Sequence, residues 1–262
     1  MDILIAFLVM LAIALIAGIS LLVFSHLFSV KEDPKKIEIR ECLPGANCGA
    51  CGFAGCDDYA AALAEGRAKP NLCTPGAQTV ANKLGEILGV DAGEVEDVVA
   101  FVKCNGTCVA TTKTAGYNGV STCVAASMLF GGNNSCKFGC LGYGDCANVC
   151  SENGICLADG IARIDKSSCI GCGNCVEVCP KHIIDLVPRS ATTFVMCGNT
   201  EMGAASRKNC KNACIGCKKC EKTCPNEAIT VANNLASIDY EKCTNCGACV
   251  DACPTACIRS LF

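Results

Sequence analysis

The run Cys214-x2-Cys217-x2-Cys220-x3-Cys224-Pro225 constrains this chain more than any other feature. Thiols at this spacing wrap a cubane iron–sulfur cluster, the last of the four reaching over to a second cluster. The same run recurs at 169–179 and 243–253, and cysteine makes up 28 of the 262 residues. Disulfide scaffolds reach such densities in short secreted chains with scattered spacings. Zinc sites use C-x2-C pairs, but not three cysteines at x2 intervals followed by a fourth at x3 and a proline. The pattern implies iron–sulfur clusters and electron transfer.

The rest of the composition agrees. Aromatic residues are 5%, tryptophan is absent and glycine numbers 26, so material for one large core is thin. Clusters must supply much of the cross-linking, as metals do in other small domains. Lys and Arg total 22 against 25 Asp and Glu, with no basic patch interleaved with aromatics, which argues against nucleic acid as a partner.

From Ile3 to Phe28 there is no Asp, Glu, Lys or Arg. The apolar stretch from Ile3 to Phe24, broken only by Ser20, is long enough to cross a hydrocarbon core of about 30 Å as one helix. A cleaved secretory signal wants a basic start and a small-residue cleavage site, whereas this segment begins Met1-Asp2. Lys31, Lys35, Lys36 and Arg40 follow it, with Glu32, Asp33 and Glu38 among them. The positive-inside rule counts only the bases and places the cysteine-rich part in the cytoplasm. With no carboxylate inside the span, this chain alone offers no ion path across the membrane.

Cys48-x2-Cys51-x4-Cys56-x16-Cys73 is a four-thiol set of another type, with Gly45, Gly49, Gly52 and Gly55 around its first three ligands. The glycines allow tight turns and bring backbone N–H groups near sulfur. They form no G-x-G-x-x-G nucleotide loop. A helix is expected over Asp57–Arg67, returning the chain to Cys73, and two more over Gln78–Leu88 and Glu94–Val102.

The remaining chain is duplicated at an offset of 74 residues, Cys140 to Cys214. Cys140, Cys146, Cys150, Cys169, Cys172, Cys175 and Cys179 map onto Cys214, Cys220, Cys224, Cys243, Cys246, Cys249 and Cys253. Each repeat reads as a ferredoxin unit of two cysteine runs joined by a hairpin. The exchange of fourth ligands predicts one cluster on Cys214, Cys217, Cys220 and Cys253, and another on Cys243, Cys246, Cys249 and Cys224. The first repeat gives a complete set of Cys150, Cys169, Cys172 and Cys175. Its other set, Cys140, Cys146 and Cys179, has Tyr143 where the second repeat has Cys217. Cys136 is the expected replacement, a three-iron cluster the alternative. Cys104, Cys108, Cys123, Cys197 and Cys210 offer ligands for a sixth cluster, while Cys42, Cys156 and Cys257 read as non-ligands. The expectation is at least five 4Fe–4S clusters, with a sixth.

The fold class expected is α+β: one N-terminal transmembrane helix, a small 4Fe–4S domain and duplicated bacterial-type two-cluster ferredoxin modules. The boundaries expected are 1–28 for the anchor, 29–100 for the 4Fe–4S domain, 101–135 for a cysteine-containing connector, 136–190 for the first ferredoxin-like module and 191–262 for the second. No residue stands out as an acid, base or nucleophile. His26 and His182 read as structural or exposed.

The anchor, the loop Asn47-Cys48-Gly49-Ala50-Cys51-Gly52-Phe53-Ala54-Gly55-Cys56 with Cys73, and the ferredoxin-type runs follow one another in an order that resembles the B subunit of the Rnf complexes. These are membrane-bound ferredoxin:NAD oxidoreductases that couple electron transfer to sodium or proton transport. The resemblance implies that reduced ferredoxin docks on the repeats and that electrons pass towards Cys48–Cys73 and the membrane partners. Flavin, NAD binding and ion translocation would then lie in other subunits. Lys181, Arg189, Arg207, Lys208, Lys211, Lys218, Lys219 and Lys222 are candidates for docking an acidic ferredoxin, against an ordinary solvated face. The alternative functions are a membrane-tethered polyferredoxin serving a hydrogenase or a corrinoid reactivation system, and a redox or iron sensor.

Overall fold

A computed structural model describes residues 2–27 and 33–261; residues 28–32, with Lys31 and Glu32, lie outside the described residues, as does the side chain of His26. The apolar N-terminal segment forms α1, Asp2–Leu27, of 26 residues. At 1.5 Å per residue it is about 39 Å long, enough to cross a bilayer. Its described apolar side chains are exposed, Leu22 to 71%. Only hydrocarbon would cover such a surface without cost.

Three helices build the small N-terminal unit: α2 (Pro34–Cys42), α3 (Cys56–Ala64) and α4 (Ala77–Leu88). Asp33 caps α2 by accepting from the Lys35 amide at 2.9 Å, and Pro34 opens the helix where its missing N–H costs nothing. Ile39, Tyr59, Leu63 and Leu84 form the buried centre against Cys56 and Cys73. The helix expected to start at Asp57 thus begins one residue earlier and ends at Ala64.

The segment expected to be helical over 94–102 is instead a strand, β1 (Val98–Val102). Its β-branched residues suit a pleated, half-buried surface, and tertiary pairing outweighs the helical periodicity. After it come α5 (Cys123–Met128), α6 (Asp145–Asn148), β2 (Ile155–Ala158), β3 (Ile161–Ile164), α7 (Asn174–Val178) and β4 (Ile184–Pro188). The second repeat runs β5 (Thr193–Val195), α8 (Gly203–Asn209), α9 (Lys219–Thr223), β6 (Ile229–Ala232), β7 (Leu235–Ile238), α10 (Ala248–Ala252) and β8 (Ile258–Ser260).

β1 pairs antiparallel with β4, Val98 opposite Pro188 and Val102 opposite Ile184. The unit closed by β4 therefore starts near residue 98, and the expected boundary at residue 100 cuts a strand. In the second repeat β5 pairs with β8, Val195 opposite Ile258. The hairpins β2–β3 and β6–β7 keep the 74-residue offset. They turn over Asp159-Gly160 and Asn233-Asn234, all four with positive φ, as a two-residue hairpin turn of matching twist requires. The two repeats meet through their outer strand pairs. There Phe101 and Phe194 stack with ring centroids 4.4 Å apart, with Val99, Val187 and Met196 around them.

Candidate metal centres

The fold brings cysteines together in groups, and the first is the loop set of Cys48, Cys51, Cys56 and Cys73. Asn47, at φ 46°, accepts from the Cys56 amide at 2.8 Å and so fixes the start of α3 against the loop carrying Cys48 and Cys51. Gly49 and Gly52 have φ of 77° and 83°, a region costly for any side chain. The Tyr59 hydroxyl donates to the Lys69 carbonyl at 2.7 Å and accepts from the Leu72 amide at 3.4 Å, which holds the segment ending in Cys73. Burial, and then the thiols of Cys56, Cys48 and Cys51, push the Cys73 thiol up.

Each repeat places two sets at opposite ends of a helix pair. In the second repeat α9 carries Cys220 and is followed by Cys224, while α10 carries Cys249 and is followed by Cys253. Two antiparallel helices with this spacing exchange their last cysteines. Cys214, Cys217, Cys220 and Cys253 accordingly line one cavity. Cys249 has Cys243, Cys224 and Cys246 as its thiol neighbours. In the first repeat Cys150, Cys169, Cys172 and Cys175 line a cavity beside α7. The backbone N–H of Ala162 donates to Cys140 Sγ at 3.4 Å, and Ala236, one repeat on, does the same for Cys214.

The remaining two sets differ from the sequence expectation. Cys140, Cys146 and Cys179 are joined by Cys123, not Cys136, around one cavity. The segment preceding α5 folds back over Tyr143, whose ring meets Tyr117 edge-on at 5.6 Å and whose hydroxyl accepts from Asn133 Nδ2 at 3.3 Å. Tyr143 thus anchors the segment that delivers Cys123. Cys136 lines another cavity, with Cys104, Cys197 and Cys210 and with Cys140, which also lines the cavity of Cys123. Cys108 joins no set: it is exposed, and its amide bonds the Asp159 carbonyl at 2.9 Å. A second, shorter repeat would have revealed the pairing of Cys104 with Cys197: Phe101-Val102-Lys103-Cys104 matches Phe194-Val195-Met196-Cys197.

The cavities lined by the Cys104, Cys150, Cys123 and Cys214 sets are alike in size, about 20 Å³ each. Their thiols ring a space instead of converging on one ion, as four ligands at about 2.3 Å from zinc would. All the cysteines are free thiols. Burial pushes Cys104, Cys146 and Cys175 up to about 12, so they stay protonated until metal displaces the proton. Soft thiols, cavities of one size and amides aimed at sulfur fit cubane iron–sulfur clusters.

The sets also follow one another in space. Cys48 is a thiol neighbour of Cys172, and Cys175 of Cys146. The Cys140 amide donates to Cys104 Sγ at 3.3 Å. On the far side of that set the buried Cys257 thiol stands beside Cys197 and Cys214. Hydrogen bonding with Cys257 is the first cause that lowers Cys197, to about 7, and Cys214, to about 6, while the Cys257 thiol is pushed far up. Cys42 and Cys156 stand outside every set.

Among the basic candidates, Lys181 donates to the carbonyls of Gly131 and Lys137. Arg189 bonds Asp97 and the carbonyls of Lys166, Val98 and Cys169. Both serve the fold. Arg207, Lys208, Lys211, Lys218, Lys219 and Lys222 are exposed on α8, α9 and the segment between them, and Lys218 and Lys219 directly follow the exposed Cys217. His182 is exposed in a turn.

Three family models match the chain: an Fe-S cluster family over residues 43–75, a 4Fe-4S binding domain over 162–185 and a 4Fe-4S dicluster domain over 213–257. Cys104, Cys123, Cys136, Cys197 and Cys210 lie outside all three. The chain is 43% identical over 245 residues to the B subunit of the Na(+)-translocating ferredoxin:NAD(+) oxidoreductase complex of Acetobacterium woodii, covering 93% of this chain and 74% of that one. It is 42% identical over 257 residues to the B subunit of the proton-translocating ferredoxin:NAD(+) oxidoreductase complex of Clostridium ljungdahlii, covering 97% and 90%. It is 39% identical over 243 residues to the B subunit of the ion-translocating oxidoreductase complex of Methanosarcina acetivorans, covering 92% of each.

Proposed function

Since the chain belongs to the family of B subunits of ion-translocating ferredoxin:NAD oxidoreductase complexes, we propose that it accepts electrons from reduced ferredoxin and relays them towards the membrane and flavin subunits of such a complex. The observation that carries this reading is the spatial succession of thiol sets. It runs from Cys217, exposed among lysines, to Cys48 in the unit that follows the membrane helix.

Six sets hold 4Fe–4S clusters on this reading: Cys48, Cys51, Cys56 and Cys73; Cys123, Cys140, Cys146 and Cys179; Cys150, Cys169, Cys172 and Cys175; Cys214, Cys217, Cys220 and Cys253; Cys224, Cys243, Cys246 and Cys249; and Cys104, Cys136, Cys197 and Cys210. Such clusters supply one-electron transfer at potentials set by the surrounding hydrogen bonds and exposure. The protein's part is to hold them in line, aim amides at the ligand sulfurs and keep water from the buried ones. Lys218, Lys219 and Lys222 present positive charge to an acidic ferredoxin beside Cys217, which speeds encounter. Lys35, Lys36 and Arg40, following α1, orient the thiol sets to the cytoplasm. NAD chemistry and ion movement belong to partner subunits.

Anaerobic rapid mixing of the full-length protein with reduced low-potential ferredoxin, followed by absorbance and freeze-quench EPR, tests the reading. Fast reduction of several cubane signals is expected. Intact, chemically reducible clusters that take no electrons from ferredoxin would refute it.

A further inference from the structure

The segment between Cys104 and Cys136, which brings Cys123 to its cavity, holds one charged residue, Lys113. Its apolar side chains face outwards. Val120, Val124, Met128, Leu129 and Phe130 are all exposed, Met128 to 78% and Phe130 to 91%. Val124 and Met128 lie one helical turn apart on α5 and so share a face. Outside α1, the other exposed large apolar residues are scattered singly along the chain, as on any soluble surface. A group of them on one short segment marks a contact site.

The segment is pinned in this pose. At the start of α5, Thr122 Oγ1 accepts from the Ala125 amide at 3.2 Å, and the Asp145 carboxylate holds the Cys123 and Val124 amides. At its end the Gly131 amide bonds the Ser127 carbonyl at 3.1 Å, and the Gly132 amide the Leu129 carbonyl at 2.9 Å. Lys181 clamps the Gly131 carbonyl from another element. Phe130 itself sits at φ 52°, a left-handed conformation unfavourable for a bulky side chain. Strain of this kind persists only where the surroundings impose it, and here it holds an aromatic ring out in water. A face fixed in advance loses little freedom when a partner covers it.

The second repeat differs at the equivalent place. There α8 precedes the first ligand run, as α5 does in the first repeat, but α8 carries Arg207 and Lys208. An acidic ferredoxin finds complementary charge on that side, whereas the α5 segment offers Lys113 alone. A surface that dips into lipid headgroups is rich in Lys and Arg beside its apolar residues, which the α5 segment is not. Aromatic and thioether side chains without charge are instead the centre of a lasting protein–protein contact.

We propose that Val120, Val124, Met128, Leu129 and Phe130 form the permanent seat of another subunit of the oxidoreductase complex, one that presents an uncharged apolar surface. The seat rests on the reading of this chain as a subunit of such a complex, and not on ferredoxin as the donor. Its occupant covers the half-buried Cys123 and shields the cluster of that set from water. It also fixes the first repeat within the complex, while the basic side of the second stays open to a mobile donor.

The test uses the full-length chain in its own membranes. Phe130→p-benzoylphenylalanine, irradiated there, should give an adduct that mass spectrometry identifies as another subunit of the complex. Adducts only with a second copy of this chain or with lipid, or no adduct, overturn the seat. Met128→Glu/Phe130→Asp puts charge on the face with a residue that tolerates the φ of Phe130. The purified variant should keep its iron content and melting temperature. The other subunits that stay with the tagged chain through mild-detergent extraction should fall about tenfold or more, and Met128→Leu/Phe130→Leu should retain them. Retention by the charged variant equal to that of the unaltered chain overturns the seat. Should the charged variant lose iron, the crosslink, made with an aromatic side chain kept in place, decides. Fast reduction of the unaltered chain by ferredoxin with no subunit retained would sink the seat and leave the relay. Retained subunits with no fast phase would do the reverse.

Discussion

The carboxylate of Asp145 grips the backbone at Cys123: Oδ1 accepts from the Cys123 amide at 2.9 Å and Oδ2 from the Val124 amide at 3.1 Å. Asp145 is 8% exposed and precedes the ligand Cys146, so one side chain ties a thiol brought from 22 positions upstream to a thiol of the local run. Two amides at the start of α5 depend on it, and leaving each unsatisfied costs about 1–3 kcal/mol. Asp145→Ala should therefore unseat Cys123 and convert that cluster to a three-iron form, with about one iron lost per chain and a new EPR signal in the oxidised protein. Asp145→Asn, which keeps one acceptor, should convert only part of the population. Unchanged iron and EPR in the alanine variant would show that Cys123 is seated without Asp145.

Most of the cysteine groupings in the fold are legible in the sequence because a repeat preserves spacing wherever nothing is inserted. From Cys140 onward the offset of 74 holds for the hairpins and for seven cysteines. It fails as a guide only ahead of that point. Cys104 and Cys136 are 32 residues apart, whereas their counterparts Cys197 and Cys210 are 13 apart, because the first repeat carries the longer segment that brings Cys123 over Tyr143. That detour removes Cys123 from its sequence neighbourhood and leaves Cys136, near Cys140, as the obvious substitute. β1 escapes a sequence reading for a related reason. Its partner β4 starts 82 residues after the end of β1, at Ile184, and a local window carries no trace of a pairing so distant.

Cys257 touches two ligand thiols without completing either set. Hydrogen bonds to sulfur favour the reduced cluster, and one of about 1 kcal/mol corresponds to about 40 mV for one electron. Cys257→Ala should leave the iron content unchanged and lower the potentials of the clusters on the Cys197 and Cys214 sides by about that amount each. Cys257→Ser keeps a donor and should move them less. A redox titration in which the alanine variant matches the unaltered protein would refute a tuning role, and loss of four irons would make Cys257 a ligand.

Lys218, Lys219 and Lys222 flank the exposed Cys217, and Lys218 is only loosely paired, with Glu221 at 3.8 Å. Exposed charges of this kind add little to stability and act chiefly on encounter rates. Replacing all three by Gln should slow ferredoxin oxidation about tenfold or more at low salt. The difference should shrink as ionic strength rises and the Debye length falls to about 8 Å. The melting temperature should not move. An unchanged rate constant and salt dependence would place ferredoxin on another face.

Phe194 is buried to 1% exposure, stacked on Phe101 and close to Tyr240, at the seam between the repeats. Truncation there removes apolar burial from both units at once, with a cost of about 3–5 kcal/mol for Phe→Ala in a core. Phe101, 8% exposed, should cost somewhat less. Because the rings are in contact, the double variant should fall short of the sum by about 0.5–1.5 kcal/mol. The seam also adjoins the strands that lead into Cys104 and Cys197. Loosening it should therefore expose the cluster of that set to chelators before the cluster held by Cys48–Cys73. Anaerobic thermal unfolding and timed iron release to a chelator measure both effects. Release from all sets at one rate in Phe194→Ala would mean that the repeats are held by something other than this stack and the thiols beside it.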